Sequence, residues 1–193
     1  FMKRIKGLIF FSRTYLSDLS AYPDLPQGKQ QLFEFNTYIN NPIPIDVTGI
    51  EAEWQTNFWY LPEPFTGLVF LINYTHIFSD ASYPRSEVYV AYDDDGNSTM
   101  TVHDTSYTTR LLNQPNDILN LSLGYDYMGF SARLSMLYQD NIFKRPDFWV
   151  QNRVNSASAT RWDLALKQEL PWYGIQVFLS LSNITGIMDT DIN

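Results

Sequence analysis

The chain has 193 residues, 45% apolar and 18% charged, with 13 Tyr, 13 Phe and 5 Trp, so it has ample apolar surface to bury and disorder is excluded. It has no Cys, which excludes disulfide scaffolds, thiolate metal sites and thiol nucleophiles. Thirteen Lys and Arg against 21 Asp and Glu leave a net charge of -8, which repels a phosphate backbone and argues against nucleic acid as a partner.

At the start, Lys3, Arg4 and Lys6 precede a short apolar run that Ser12 and Arg13 end. The run is too short for a signal peptide, and no small-residue cleavage site follows. A first, irregular strand is expected over residues 6–16. No run of about 18 apolar residues occurs anywhere, which excludes a membrane-spanning helix. Spanning barrel strands need only about 9 to 11 residues with one face toward lipid, and a mean hydropathy of -0.24 is compatible with them.

Clean period-two alternation begins at residue 49. Ile50, Ala52, Trp54 and Phe58 oppose Gly49, Glu51, Glu53, Gln55 and Asn57, and a turn over residues 61–67 leads into Leu68, Phe70, Ile72 and Tyr74, which predicts a hairpin. Val88, Val90 and Tyr92, then Met100 and Val102, read as the arms of a second hairpin closed by Asp95-Gly96. In the next pair, Leu119, Leu121, Leu123, Tyr125 and Tyr127 oppose Asn120, Ser122, Gly124 and Asp126. Met128-Gly129 turns them into Phe130, Ala132, Leu134, Met136 and Tyr138, opposite Ser131, Arg133, Ser135 and Gln139. Finally Trp162, Leu164 and Leu166 oppose Arg161, Asp163, Ala165, Lys167 and Glu169. Pro171-Trp172-Tyr173-Gly174 then turns the chain into Ile175, Val177, Leu179 and Leu181, where Phe178 on the polar side breaks the pattern. Roughly seven strands and almost no helix signal predict an all-β, antiparallel fold.

Connections alternate between short turns and long polar stretches such as residues 80–108 and 144–158, as in transmembrane barrels. A soluble sandwich also alternates, so periodicity alone leaves both architectures open. The aromatic residues separate them. Phe58, Trp59 and Tyr60, Tyr125 and Tyr127, and Trp172 and Tyr173 gather beside the three short turns, as in the girdle at a lipid headgroup boundary. Glu51, Glu53, Arg133, Asp163, Lys167 and Glu169 would then line a lumen and mark orientation only.

Several segments resemble the TonB-dependent receptors, the large gated barrels of Gram-negative outer membranes. Gly49-Ile50-Glu51-Ala52-Glu53-Trp54-Gln55 is similar to that family's recurrent G-(I/V)-E strand opening. The segments from Gly67 to His76, Gly129 to Arg133 with Tyr138-Gln139, and Leu181-Ser182-Asn183-Ile184-Thr185-Gly186 are similar too. The resemblance implies that residues 1–193 are a C-terminal part of a 22-stranded plugged transmembrane β-barrel, with the plug and last strands absent. It further implies an importer of a scarce, bulky nutrient such as a ferric siderophore, a cobalamin-like molecule or an oligosaccharide. The partners would be outer-membrane lipid, the cargo, and TonB acting through the plug; no cofactor and no enzymatic chemistry are implied. The alternatives are a soluble β-sandwich carbohydrate-binding module and an outer-membrane hydrolase using His76 or His103, although neither histidine has the local context of a catalytic elbow or triad.

For ligand contact, Arg110, Lys144, Arg145 and Arg153, with Phe143, Phe148 and Trp149 among them, are expected to form a cationic, aromatic vestibule near the outer strand ends. Asp93, Asp95 and Asn97 have the alternating oxygen spacing of a calcium loop, but Ser98 replaces the required Gly and Asp104 the bidentate Glu. A hairpin tip is the favoured reading there.

Overall fold

A computed structural model describes residues 2–5, 9–16, 33–188 and 191–192. The described elements are β1 (Met2–Ile5), β2 (Ile9–Leu16), β3 (Phe33–Asn40), β4 (Ile45–Asn57), β5 (Leu68–Tyr92), β6 (Ser98–Thr109), β7 (Asp117–Tyr127) and β8 (Phe130–Gln139). They continue with β9 (Phe143–Arg145), β10 (Val154–Ser156), β11 (Ala159–Glu169), β12 (Gln176–Leu181) and β13 (Asp191–Ile192). Two 3-10 turns, Phe65–Gly67 and Val150–Asn152, are the helical segments among the described residues. The fold is all-β with antiparallel sheets, as the alternation predicts. The main sheet runs β1-β4-β5-β7-β8-β11-β12, with β6 beside β5; β13-β10-β9 and β2-β3 form two smaller sheets.

The chain divides into two compact units, residues 1–2, 48–78 and 111–193 in the first and residues 3–47 and 79–110 in the second. In the first unit, the three expected hairpins form a meander. Tyr127 pairs with Phe130 across Met128 and Gly129, both at positive φ (46° and 78°). That is the twist a two-residue hairpin turn requires. Leu170 N–H donates to the Ile175 carbonyl around the Pro171 turn, where Tyr173 and Gly174 also have positive φ. Phe58 N–H donates to the Leu68 carbonyl at the third turn.

The ladders place the alternating residues on two faces. On one face, Phe70, Leu123, Leu134, Leu164 and Leu181 lie side by side across β5, β7, β8, β11 and β12. Parallel rows carry Ile72, Leu121, Met136 and Trp162, and Leu68, Tyr125, Ala132, Leu166 and Leu179. On the other face, Leu71, Ser122, Ser135 and Asp163 form a row beside Val69, Gly124, Arg133, Ala165 and Ser180. None of the residues in the apolar rows is buried. Leu123 is 42% exposed, Leu179 49% and Leu181 44%.

In the second unit, β5 and β6 pair from Ala81↔Thr109 to Tyr92↔Ser98, and β2 pairs with β3 from Ile9↔Asn40 to Leu16↔Phe33. Ile45, Val47, Ala81 and Tyr83 are buried here. The buried Asn41 amide donates to the Ser82 carbonyl and its oxygen accepts from Ile43 N–H, so this polar side chain is hydrogen-bonded, as burial demands.

Four features differ from the sequence reading. Residues 80–108 are not a loop with a short hairpin at its tip; β5 runs unbroken over its 25 residues, and its second half pairs with β6 from Ala81 to Tyr92. The stretch 144–158 folds into β9, a 3-10 turn and β10. The alternating segment Phe33–Asn40 forms a further strand beyond those expected. Of the strand expected over residues 6–16, Ile9–Leu16 is formed and residues 6–8 lie outside the described residues.

Alternation also changes phase along two strands. In β4, Ile45, Val47 and Gly49 are buried while Asp46 and Thr48 are exposed. From Ile50 onward the apolar side chains, Ile50, Ala52 and Trp54, occupy the opposite side, and Glu51 and Glu53 continue the side that held Ile45 and Val47. In β5, Leu68, Phe70, Ile72, Tyr74, His76 and Phe78 are followed on the same side by Asp80, Ser82, Pro84 and Ser86, while Ala81 and Tyr83 on the other side are buried. Both reversals fall where the chain passes from one unit to the other.

Candidate functional site

At the end of the first unit away from the three short turns, the polar face of β8 and β11 borders the folded segment that carries β9 and β10. Leu137, Gln139, Asp140, Ile142, Lys144, Ser156, Ala157, Ala159 and Arg161 enclose a recess of about 180 Å³. Ladder register positions Arg161, which pairs with Leu137 two steps from the Ala159↔Gln139 end of the β8–β11 ladder. Lys144 comes from β9, which is held against β10 by the Val154↔Arg145 and Asn155↔Phe143 pairs. Ser156 fixes the segment: its N–H donates to the Ile142 carbonyl and its Oγ accepts from Ile142 N–H, both at 2.8 Å.

The expected vestibule residues sort into different tasks. Lys144 lines the recess. Arg145 Nη2 donates to the Asn152 carbonyl and Arg153 Nε to the Asp147 carbonyl, so these guanidiniums brace the segment. Asp147 in turn accepts from the Trp149 N–H. Phe148 and Trp149 make an edge contact at 5.0 Å and are 40% and 55% exposed, which leaves an aromatic surface. Phe143 is 2% exposed and belongs to the core, correcting its expected place in the vestibule; its carbonyl accepts from Asn113 N–H. Arg110 belongs to the second unit, where its carbonyl accepts from the Tyr83 hydroxyl.

From the sequence, Arg161 is only a polar strand position. The alternation with Trp162 places it on the polar face at the start of β11, but its sharing of a recess with Lys144 depends on how residues 143–156 fold. A second cluster also escaped the sequence reading. Asp117 Oδ1 lies 2.6 Å from His76 Nδ1 and accepts from the Tyr74 hydroxyl at 2.5 Å. His76 pairs with Asp117 in the β5–β7 ladder, and its ring meets Phe78 edge-on at 4.2 Å. These residues continue the apolar face at its end away from the short turns.

At the β5–β6 tip, Asp93 accepts from the Asn97 amide with one oxygen and from the Asn97 side chain with the other, and Gly96 has φ 78°. The side-chain bond from Asn97, then the backbone one, hold the Asp93 carboxyl below its ordinary value. The segment is the hairpin tip favoured by its sequence, with the Asp93 oxygens turned into their own loop. Nearby Tyr89 donates to Glu87, which holds its hydroxyl above its ordinary value.

Comparison with known proteins finds no matching family model, curated protein or solved structure.

Proposed function

We propose that the chain is part of the wall of a transmembrane β-barrel in a Gram-negative outer membrane, of the TonB-dependent receptor type, whose task is nutrient import. The uncovered apolar face of the first unit carries this reading. In a sandwich or α+β domain these rows would form the core under a second layer; here their side chains remain accessible among the described residues. An exposed apolar surface of this extent in water would drive association, whereas hydrocarbon is a suitable neighbour for it.

Three further observations agree. Beside the short turns, Trp59, Tyr60, Trp172 and Tyr173 are exposed, and Tyr125 stacks on Tyr127; at the other end stand Tyr74, His76 and Tyr138. From the Tyr127 row to the Asp117 row is a spacing of about ten residues, or about 33 Å along the strand. At a strand tilt of about 40° that is about 25 Å along the membrane normal, the height of a barrel's apolar band. The phase reversals in β4 and β5 come just past this band, where an outward side chain would leave lipid for water. The opposite face is threaded with polar contacts, including Asn73 Nδ2 to Glu51 at 3.0 Å, Arg133 to Asp126 and Lys167 to Glu169, as a wetted lumen requires.

In this reading the barrel belongs to a 22-stranded plugged receptor, cargo is met at the outer loops, and TonB couples energy through a plug. The test is fractionation of the full chain from a Gram-negative host. It is expected in the outer-membrane fraction, to resist alkaline washing and to need detergent for release. A chain that stays monomeric in detergent-free buffer overturns the proposal.

A further inference from the structure

The recess between β8, β9, β10 and β11 has a charge arrangement with no function yet assigned. Lys144 and Arg161 both line it, and neither side chain makes an ion pair or hydrogen bond among the described residues. Asp140 is the carboxylate of the lining; it accepts from the Asn141 side chain at 3.3 Å. The lining therefore holds two cations against one anion. An anion in the recess can be met by both cations at once, with one carboxylate against them.

Neutral donors complete the set. Gln139 lines the recess, and Ser156 Oγ, already accepting from Ile142 N–H, keeps its own O–H to donate. Size sets the ligand's scale. A volume of about 180 Å³ is about that of six waters at about 30 Å³ each. Sites for whole drug-sized ligands run from about 300 to 1,000 Å³.

We infer that this recess binds a single anionic group, a carboxylate or a phosphate, of a small-molecule cargo, with Arg161 supplying a planar fork and Lys144 a point charge. The exposed Phe148–Trp149 pair belongs to the same folded segment and offers ring faces for the rest of such a cargo. The inference rests on the import reading for its biological setting, but the recess itself rests on the geometry of one unit.

The experiment is calorimetry of the full chain in detergent micelles with inorganic phosphate, galacturonate and neutral galactose as probes. Galacturonate or phosphate is expected to bind, and which of them does so assigns the group. Raised salt should weaken binding, and Arg161→Gln and Lys144→Gln should each weaken it tenfold or more. Both side chains are exposed, so the variants are expected to keep the strand signal in circular dichroism. Binding of galactose as tight as that of galacturonate, absence of heat from either anion, or unchanged affinity in both variants overturns the inference. No anion binding by a chain that stays in the membrane fraction removes this inference alone. Anion binding by a chain soluble without detergent removes the membrane reading and leaves the recess standing.

Discussion

Gly124 lies directly across the β7–β8 ladder from Arg133, and the Arg133 side chain occupies the space its missing Cβ would take, at 3.1 Å. The guanidinium lies across the strand to reach the Tyr125 and Ala132 carbonyls and the Asp126 carboxylate. A methyl group there presses on the Arg133 side chain, which must give way slightly and so loosens its hold on these partners. Gly124→Ala is expected to cost about 1 kcal/mol, within the range for overpacking, read from the urea unfolding midpoint in micelles. The same substitution in an Arg133→Ala background should be neutral or stabilising, because alanine then relieves only the entropic weakness of a strand glycine. An equal loss in both backgrounds would refute the link.

Gly67 is a different case. A Cβ at this position would run into the backbone carbonyl of Asp126, which cannot swing aside as a side chain can. Gly67→Ala should therefore cost more than Gly124→Ala, about 2 kcal/mol or above, since relief requires a backbone shift between β5 and β7. The comparison of the two unfolding midpoints checks the order.

Adjacent residues on β7 lie on opposite faces of the sheet. Leu123 sits mid-row on the apolar face and Ser122 on the polar one. In the membrane reading, Leu123→Arg should destabilise the folded barrel by about 2–4 kcal/mol, while an arginine on the lumen side is tolerated far better. Assembly in vesicles by Leu123→Arg and Ser122→Arg chains, followed by heat-modifiable migration, reads the difference. Equal tolerance of both would count against lipid on the Leu123 side.

The β5–β6 tip predicts a pH response. The folded Asp93 carboxyl has its pKa below its ordinary 3.8 because Asn97 donates to it twice. A depressed folded pKa contributes order above the unfolded value, and that order is lost as pH falls through the lower folded value. The Asn97 amide resonance should therefore be constant at neutral pH and shift with a midpoint below 3.8. Asp93→Asn should abolish that transition.

Period-two alternation was enough to read the three hairpins of the first unit, their short turns and the assignment of each residue to a face, because a strand's two sides face different solvents and the residue types must match. It also held the unnoticed strand Phe33–Asn40, whose Phe33, Phe35 and Ile39 alternate with Glu34, Asn36 and Asn40. The length of β5 was hidden for a physical reason. Past Phe78 the polar and apolar sides exchange, so the pattern appears to stop where only the surroundings change.

The sequence by itself determined an all-β antiparallel chain and which side chains share a face, since both follow from local backbone geometry and side-chain period. Only the tertiary structure decided that the apolar rows stay accessible among the described residues, that Phe143 is core while Arg145 and Arg153 brace a loop, and that Lys144 and Arg161 line one recess. Those outcomes depend on register and on how residues 143–156 fold back, and such long-range closures leave no periodic trace in the chain.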